Sequence, residues 1–230
     1  MKVSIAITIH EYGGKGSEIL ELSFTKILNQ TFKDFEVVVS DDSNDDTIKL
    51  ICDKWKSLFD IKYFKNELQR RSGADNRNNS IQKCSGDIIK ILDGDDLLFD
   101  NNSLELIVKE FDDNTKWLFS SYVHSTDRIN FYNYHIPIVN ENIAICNTLG
   151  TPSGMTISNK IRIPLFDKKL RWCFDCEFYY RMIKIYGLPK ILDKPTMINF
   201  IWDKSGTTIR TQENVLSDNK YIIDKIAGFI

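Results

Sequence analysis

The chain has 230 residues, of which 42% are hydrophobic, and its 30 Lys and Arg residues nearly balance 32 Asp and Glu residues, giving a net charge of −2. This length suits a single domain with its own core, and the charge argues against a general nucleic-acid binder. No apolar run approaches the roughly 20 residues of a membrane span. The residues that follow Met1 have the pattern of a strand and not that of a signal peptide, so we expect a cytoplasmic protein.

Strand and helix patterns alternate through the first 100 residues. Runs of branched apolar residues predict four strands, at 3–9, 35–40, 61–64 and 88–92. Apolar residues at helical spacing predict three intervening helices, at 17–29, 43–58 and 74–84. Ser43 with Asp46 three positions later resembles a capping box at the start of the second helix. This order predicts an α/β fold with a parallel sheet and right-handed crossovers.

The pattern changes after Asp100. Helices are predicted at 103–111, 175–186 and 212–227, and strands at 117–123 and 197–202. Residues 129–138 are rich in aromatic residues and are expected to be extended. We therefore expect one domain over 1–230, with a nucleotide-binding half at 1–100 and a mixed acceptor-binding half at 101–230. The last helix is expected to pack on the core, with contact to a membrane or partner as the alternative.

The cysteines predict no disulfide framework. There are five, an odd number at irregular spacing, and the Cys173–Cys176 pair lacks a second pair of ligands for a zinc site. We expect reduced thiols.

An acidic run follows the fourth predicted strand directly. Asp93, Asp95 and Asp96, with Gly94 between them, place three carboxylates where they repel one another. A divalent cation would neutralise them, and oxygen ligands favour Mg²⁺, Mn²⁺ or Ca²⁺. The alternative is an Asp/Gly turn with solvated charges.

A second acidic run, which includes Asp41 and Asp42, ends the second strand. Both strand ends lie at the same edge of a parallel sheet, where α/β folds bind ligands. Arg77, on the helix before the fourth strand, could bind a phosphate in bidentate fashion, or could be an ordinary surface arginine. The Gly13–Gly16 loop could cradle a phosphate, although it lacks the spacing of a Walker loop.

Five blocks of the chain resemble the family 2 glycosyltransferases of the GT-A fold. They are Val3–Thr8, Ile27–Ser43, Asn76–Asn78 with Ser85–Asp87, Leu92–Asp96 and Phe174–Arg181. The resemblance implies a Rossmann-like, mostly parallel sheet flanked by helices, with a mixed C-terminal acceptor region.

The resemblance also implies roles for individual positions. Asp42 would contact the nucleoside base, Arg77 the base or diphosphate, and Asp93 the ribose or metal. Asp95 would be the direct ligand of Mn²⁺ or Mg²⁺, and Asp175 the general base. The full donor-binding set is Thr8, His10, Glu11, Asp42, Arg77, Asp93 and Gly94.

The predicted function is that of an inverting, metal-dependent glycosyltransferase. It would move a sugar from a nucleotide-diphosphate donor, with a UDP-sugar favoured, to a hydroxyl of a growing glycan or glycolipid such as a polysaccharide or lipopolysaccharide. One alternative is a sugar-phosphate nucleotidyltransferase, which the glycine-rich loop suggests. The other is a catalytically degenerate domain that binds a nucleotide sugar.

Overall fold

The computed structural model describes residues 1–11, 13–67, 72–203, 205, 208 and 210–228. The described strands are β1 Val3–Ile9, β2 Phe35–Asp41, β3 Ile61–Lys65, β4 Ile88–Asp93, β5 Leu97–Leu98, β6 Trp117–Ser125, β7 Tyr132–His135, β8 Met155–Ser158 and β9 Lys190–Phe200. The described helices are α1 Lys15–Leu28, α2 Thr47–Trp55, α3 Gly73–Gln82, α4 Ser103–Glu110, α5 Phe174–Tyr186 and α6 Gln212–Ile226.

These strands form one mixed sheet in the order β3-β2-β1-β4-β8-β6-β9-β5, with β7 paired to β6. The first four strands in the chain are parallel, as predicted, and β8 lies antiparallel between β4 and β6. The α/β prediction is therefore confirmed. The sequence did not predict β8, because four residues carry little periodic signal.

Helices cover both faces of the sheet. On one face α1, α2 and α4 bury a cluster that includes Phe24, Ile48 and Leu104. On the other face α3 and α5 bury a cluster that includes Ile81 and Phe178. Strands covered on both sides need near-continuous apolar sequence, which is why 3–9 and 88–92 are so easily recognised.

The starts of two elements lie several residues from their predicted positions. Helix α2 begins at Thr47, because the Ser43 hydroxyl accepts the backbone N–H of Glu11 (2.7 Å) instead of capping the helix. The predicted capping box is therefore wrong. Strand β9 begins at Lys190, seven residues before the predicted start at Met197, because its charged first half conceals its pairing with β6.

The C-terminal helix α6 is anchored to the segment that precedes α5. The Asp218 carboxylate on α6 accepts the backbone N–H groups of Arg171 (3.1 Å), Trp172 (2.7 Å) and Cys173 (2.9 Å). Ile222 of the same helix is fully buried in a cluster with Cys173. One face of α6 thus packs on the body of the domain. Phe229, an apolar residue that follows α6 in the sequence, lies outside the described residues.

Among the described residues, none of the helices combines the length and the apolar composition needed to cross a membrane. All five cysteines are free thiols.

Replacing Asp218 with alanine should destabilise the fold. Hydrogen bonds to a charged group are stronger than neutral ones, so losing three should lower the free energy of unfolding by about 2–3 kcal/mol. Urea denaturation measures this. The control is Asp224→Ala, which breaks only the exposed pair with Lys220 on the same helix and should cost less than about 1 kcal/mol. Equal losses in the two variants would contradict the anchoring role.

Candidate active site

The ends of β1 and β4 bring three of the predicted residues together. Thr8 is paired with Asp93 in the strand register, and its hydroxyl donates to the Asp93 carboxylate (3.2 Å). The N–H of Gly94 donates to the Thr8 carbonyl (2.7 Å). A Cβ on Gly94 would lie 2.6 Å from that carbonyl oxygen, so only glycine lets the turn pack this closely.

Arg77 reaches this edge from α3. Its guanidinium forms an ion pair with Asp93 (2.6 Å) and donates to the Gly73 carbonyl (2.9 Å). It also lies over the ring of Phe174, 4.7 Å from the centroid. Arg77 is therefore not an ordinary surface arginine, since it connects the end of β4 to the start of α5.

The carboxylates of the acidic run diverge. Asp96 turns inward, where it accepts the Asn199 side-chain amide (2.9 Å) and the Phe200 N–H (3.1 Å), and so ties the turn to β9. Asp95 accepts the indole N–H of Trp202 (3.2 Å). Burial and the nearby Asp93 raise the pKa of Asp95, and burial with the charge of Asp95 raises that of Asp96 well above its usual range.

A buried lysine lies beneath the acidic run. Lys90 on β4 is fully buried, and its ammonium donates to the carbonyl of Ser153, whose hydroxyl accepts the Asp93 N–H (2.9 Å). Burial lowers the pKa of Lys90 to about 7, although Asp96 and Asp93 oppose the shift. The sequence analysis missed this residue. Its signal was a lysine inside an otherwise apolar strand.

His10 and Glu11 follow β1 and play different parts. The His10 Nδ1 lies 3.0 Å from the Asp42 carboxylate, so these two predicted residues are in contact. The Glu11 carboxylate accepts the N–H groups of Gly14 (2.5 Å) and Ser17 (2.8 Å) at the start of α1. The glycine-rich loop therefore holds an internal carboxylate where a phosphate cradle was considered.

Asp175 lies in the first turn of α5. One of its oxygens accepts the Cys176 N–H (2.8 Å) and the other accepts the side-chain amide of Asn147 (2.7 Å). A carboxylate at the start of a helix is stabilised in its ionised form by the helix dipole. Burial acts in the other direction and raises the pKa of Asp175, against the Cys176 N–H and the charge of Arg77. A raised pKa brings a carboxylate closer to the range of an effective general base.

Comparison with known proteins shows the family of the chain. The profile described as Glycosyl transferase family 2 matches residues 4–189. The chain belongs to glycosyl transferase family 2. This glycosyltransferase is 41% identical over 81 residues to the GalNAc(5)-diNAcBac-PP-undecaprenol beta-1,3-glucosyltransferase of Campylobacter jejuni, an alignment that covers 35% of this chain and 26% of that enzyme. It is also 26% identical over 205 residues to an uncharacterized glycosyltransferase of Rickettsia felis, covering 84% of this chain and 32% of the relative.

Solved structures agree on the fold of the glycosyltransferase. S. aureus TarS in complex with UDP-GlcNAc superposes with a TM-score of 0.70 at 18% identity, covering 99% of this chain and 67% of TarS. The mannosyltransferase PcManGT of Pyrobaculum calidifontis, in complex with GDP-Man and Mn²⁺, gives 0.63 at 17% identity over 89% of this chain and 58% of its own. The GT-A prediction is confirmed. The chain spans about a quarter of the Campylobacter enzyme and a third of the Rickettsia felis protein.

The acidic turn of the glycosyltransferase offers part of a metal shell. Within the described ranges, no group of three or more His, Cys, Asp or Glu side chains is placed to hold a metal ion. Asp95 and the neighbouring Asp93 nevertheless supply hard carboxylate oxygens. Mg²⁺ is typically bound by one or two carboxylates together with substrate phosphates, so this donor set fits a divalent cation that a diphosphate completes.

Replacing Arg77 with methionine tests its place at this edge. The change leaves the Asp93 carboxylate buried without its cation, so the free energy of unfolding should fall by about 3 kcal/mol. Urea denaturation at neutral pH measures the loss. The matched control is Arg128→Met, which also removes an ion pair and an aromatic contact. Its former partner Glu18 is exposed, so water can solvate that carboxylate, and the loss should be about 1 kcal/mol. Equal losses would show that Asp93 does not depend on Arg77.

Proposed function

We propose that this protein is a metal-dependent, inverting glycosyltransferase that moves a sugar from a nucleotide-diphosphate donor to a hydroxyl of a glycan or glycolipid. The observation that carries the proposal is the position of Arg77. Burial lowers the pKa of its guanidinium, but the charges of Asp93, Asp175 and Asp95 outweigh burial and raise it. The Arg77 guanidinium thus interacts electrostatically with both the acidic turn and the proposed base.

The donor would bind along the carboxyl edge of β1, β2 and β4. Asp42, in contact with His10, would accept a hydrogen bond from the base or ribose, and Thr8 and Asp93 would lie beside the ribose. Gly94, which has no side chain, would allow close approach of the diphosphate, which Arg77 would bind. Glu11 would contribute charge near the donor rather than a direct contact, because its oxygens are held by α1.

A UDP-sugar is the favoured donor. TarS was solved with UDP-GlcNAc, whereas PcManGT was solved with GDP-Man, so the fold accommodates more than one nucleoside. The PcManGT complex also contains Mn²⁺. In this chain Asp95, with Asp93 beside it, would hold Mn²⁺ or Mg²⁺, and such a cation would offset the charge that develops on the leaving diphosphate.

Asp175 would act as the general base. Its carboxylate would take the proton of the acceptor hydroxyl while the acceptor oxygen attacks the anomeric carbon. The bond between that carbon and the diphosphate oxygen would break in the same displacement, on the opposite face of the sugar. The configuration at the anomeric carbon would therefore invert.

The acceptor proposal rests on a relative. The Campylobacter enzyme is named for a polyprenol-linked glycan acceptor. We propose a glycan or glycolipid acceptor for this chain as well, with the protein in the cytoplasm at the inner face of the membrane. A nucleotidyltransferase is disfavoured because the Glu11 carboxylate already accepts two backbone N–H groups at the glycine-rich loop, where a phosphate cradle was considered. A degenerate domain is disfavoured because Asp95 and Asp175 are both present.

Removing Asp95 should abolish the metal dependence of donor binding. In calorimetry, Mn²⁺ should tighten the binding of UDP to the unaltered protein. When Mn²⁺ is present, Asp95→Ala should bind UDP at least about tenfold more weakly than the unaltered protein, and without Mn²⁺ the two should bind UDP equally. The indole of Trp202 contacts Asp95, so Mn²⁺ with UDP should also change tryptophan emission, and Trp202→Phe should remove that change. Full metal dependence in Asp95→Ala would overturn the assignment.

Replacing Asp175 with asparagine preserves shape and removes basicity. Turnover should fall by roughly 10²-fold or more, while the dissociation constant for UDP stays within about twofold. Release of UDP from UDP-GlcNAc and UDP-glucose, with water as the acceptor of the sugar, measures turnover. The control is Asp193→Asn, the same change at another aspartate of the second half, which should leave turnover unaltered. Unchanged turnover in Asp175→Asn would leave the mechanism without its base.

A further inference from the structure

The side chain of Asn147 connects Asp175 to the loop that precedes β8. Its amide nitrogen donates to the Asp175 carboxylate (2.7 Å) and to the Gly150 carbonyl (3.0 Å). Its amide oxygen accepts the Gly150 N–H (2.8 Å). Because that N–H can only donate, the oxygen must face Gly150, and the two amide hydrogens must point to the other two partners. The orientation of the amide is thus fixed by chemistry.

The loop that carries Asn147 is held rigidly. Gly150 has φ of 111°, and a Cβ there would lie 2.5 Å from the Tyr122 hydroxyl oxygen. The Gly150 carbonyl also accepts the hydroxyl of Tyr179 (3.0 Å). Leu149 is fully buried, and its carbonyl lies 3.1 Å from the His135 Nε2. Asn147 therefore extends from a fixed support toward Asp175.

The carboxylate of Asp175 receives one donor on each oxygen. The Cys176 N–H holds one oxygen from within α5, and Asn147 holds the other from a different part of the chain. Two donors on different oxygens fix the plane of a carboxylate, whereas one donor leaves it free to rotate. A general base must meet its proton within hydrogen-bond reach, so the orientation of this plane affects the rate.

We propose that Asn147 is a positioning residue for Asp175, which orients the carboxylate and stabilises its ionised form. The kinetic part of this inference rests on the proposed role of Asp175 as the base. The contact itself does not. Asn147 itself is exposed.

Two substitutions separate this role from support of the loop. Asn147→Asp keeps an oxygen that can accept the Gly150 N–H. It replaces the amide nitrogen that donates to Asp175 with a carboxylate oxygen, whose negative charge repels Asp175. Asn147→Ser keeps a short side chain that can accept the same N–H, as serine does in turns, but cannot reach Asp175. Asn142→Ala, at an exposed asparagine of the same connection, is the matched control.

The first measurement is the pKa of the Asp175 carboxyl by carbon NMR, which needs no turnover. Loss of a hydrogen bond to the charged form should raise this pKa by about one unit in Asn147→Ser, and the added negative charge should raise it further in Asn147→Asp. The other titratable groups that act on Asp175 remain in both variants: Arg77 on α3, Tyr122 on β6, Cys173 just before α5, and Cys176 and Tyr179 on α5. An unchanged pKa would overturn the proposal.

The second measurement is UDP release from UDP-GlcNAc, with water as the acceptor of the sugar. Asn147→Ser should lower kcat about tenfold and move the acid limb of the pH profile upward, with the dissociation constant for UDP unchanged. In the Asp175→Asn background the same change should have no further effect, since residues acting through one group are not additive. Full turnover in Asp175→Asn would refute the base, whereas a slow Asp175→Asn with a normal Asn147→Ser would refute only the positioning role.

Discussion

The main physical constraint on the candidate site is that its buried carboxylates repel one another. Asp93, Asp95 and Asp96 lie at the end of a buried strand, and Asp175 approaches from the other half of the chain. Burial raises the pKa values of Asp95, Asp96 and Asp175, and neighbouring carboxylates add to the shifts of Asp95 and Asp96. Arg77 is the cation that lies among them, with Lys90 beneath. Burying an edge this rich in negative charge costs considerable free energy unless cationic groups accompany it. The same imbalance is consistent with the divalent ion that we propose for this edge.

Much of this edge could be predicted from the sequence, because it depends on local pattern. Thr8, Asp93 and Gly94 come together since they end adjacent parallel strands, and strand ends can be read from apolar runs. The parts played by Lys90 and Asn147, and the hydrogen bonds of Glu11, could not be found in this way. Each depends on a contact made across the fold, with Ser153, Asp175 and the start of α1 respectively.

The missed parts of the sheet have a similar explanation. Strand β9 supports β6 and β5 at once, yet its first half carries charges and a proline that break the alternation expected of a strand. The pKa of Asp175 shows the same limit. The helix dipole is a local property that sequence position predicts, whereas burial is set by the surrounding chain and raises this pKa.

The anchoring of α6 has a consequence for the motions of the protein. Three consecutive amides before α5 share one carboxylate acceptor that lies 45 or more residues later in the chain. If α6 detaches, these amides lose their acceptor together, and the turn that leads into Asp175 is released. Local opening of the C-terminal helix and loss of order around Asp175 should then be a single cooperative event. In hydrogen exchange, Arg171, Trp172 and Cys173 would exchange at the rate set by the opening of α6, as one unit with a helix that is distant in sequence.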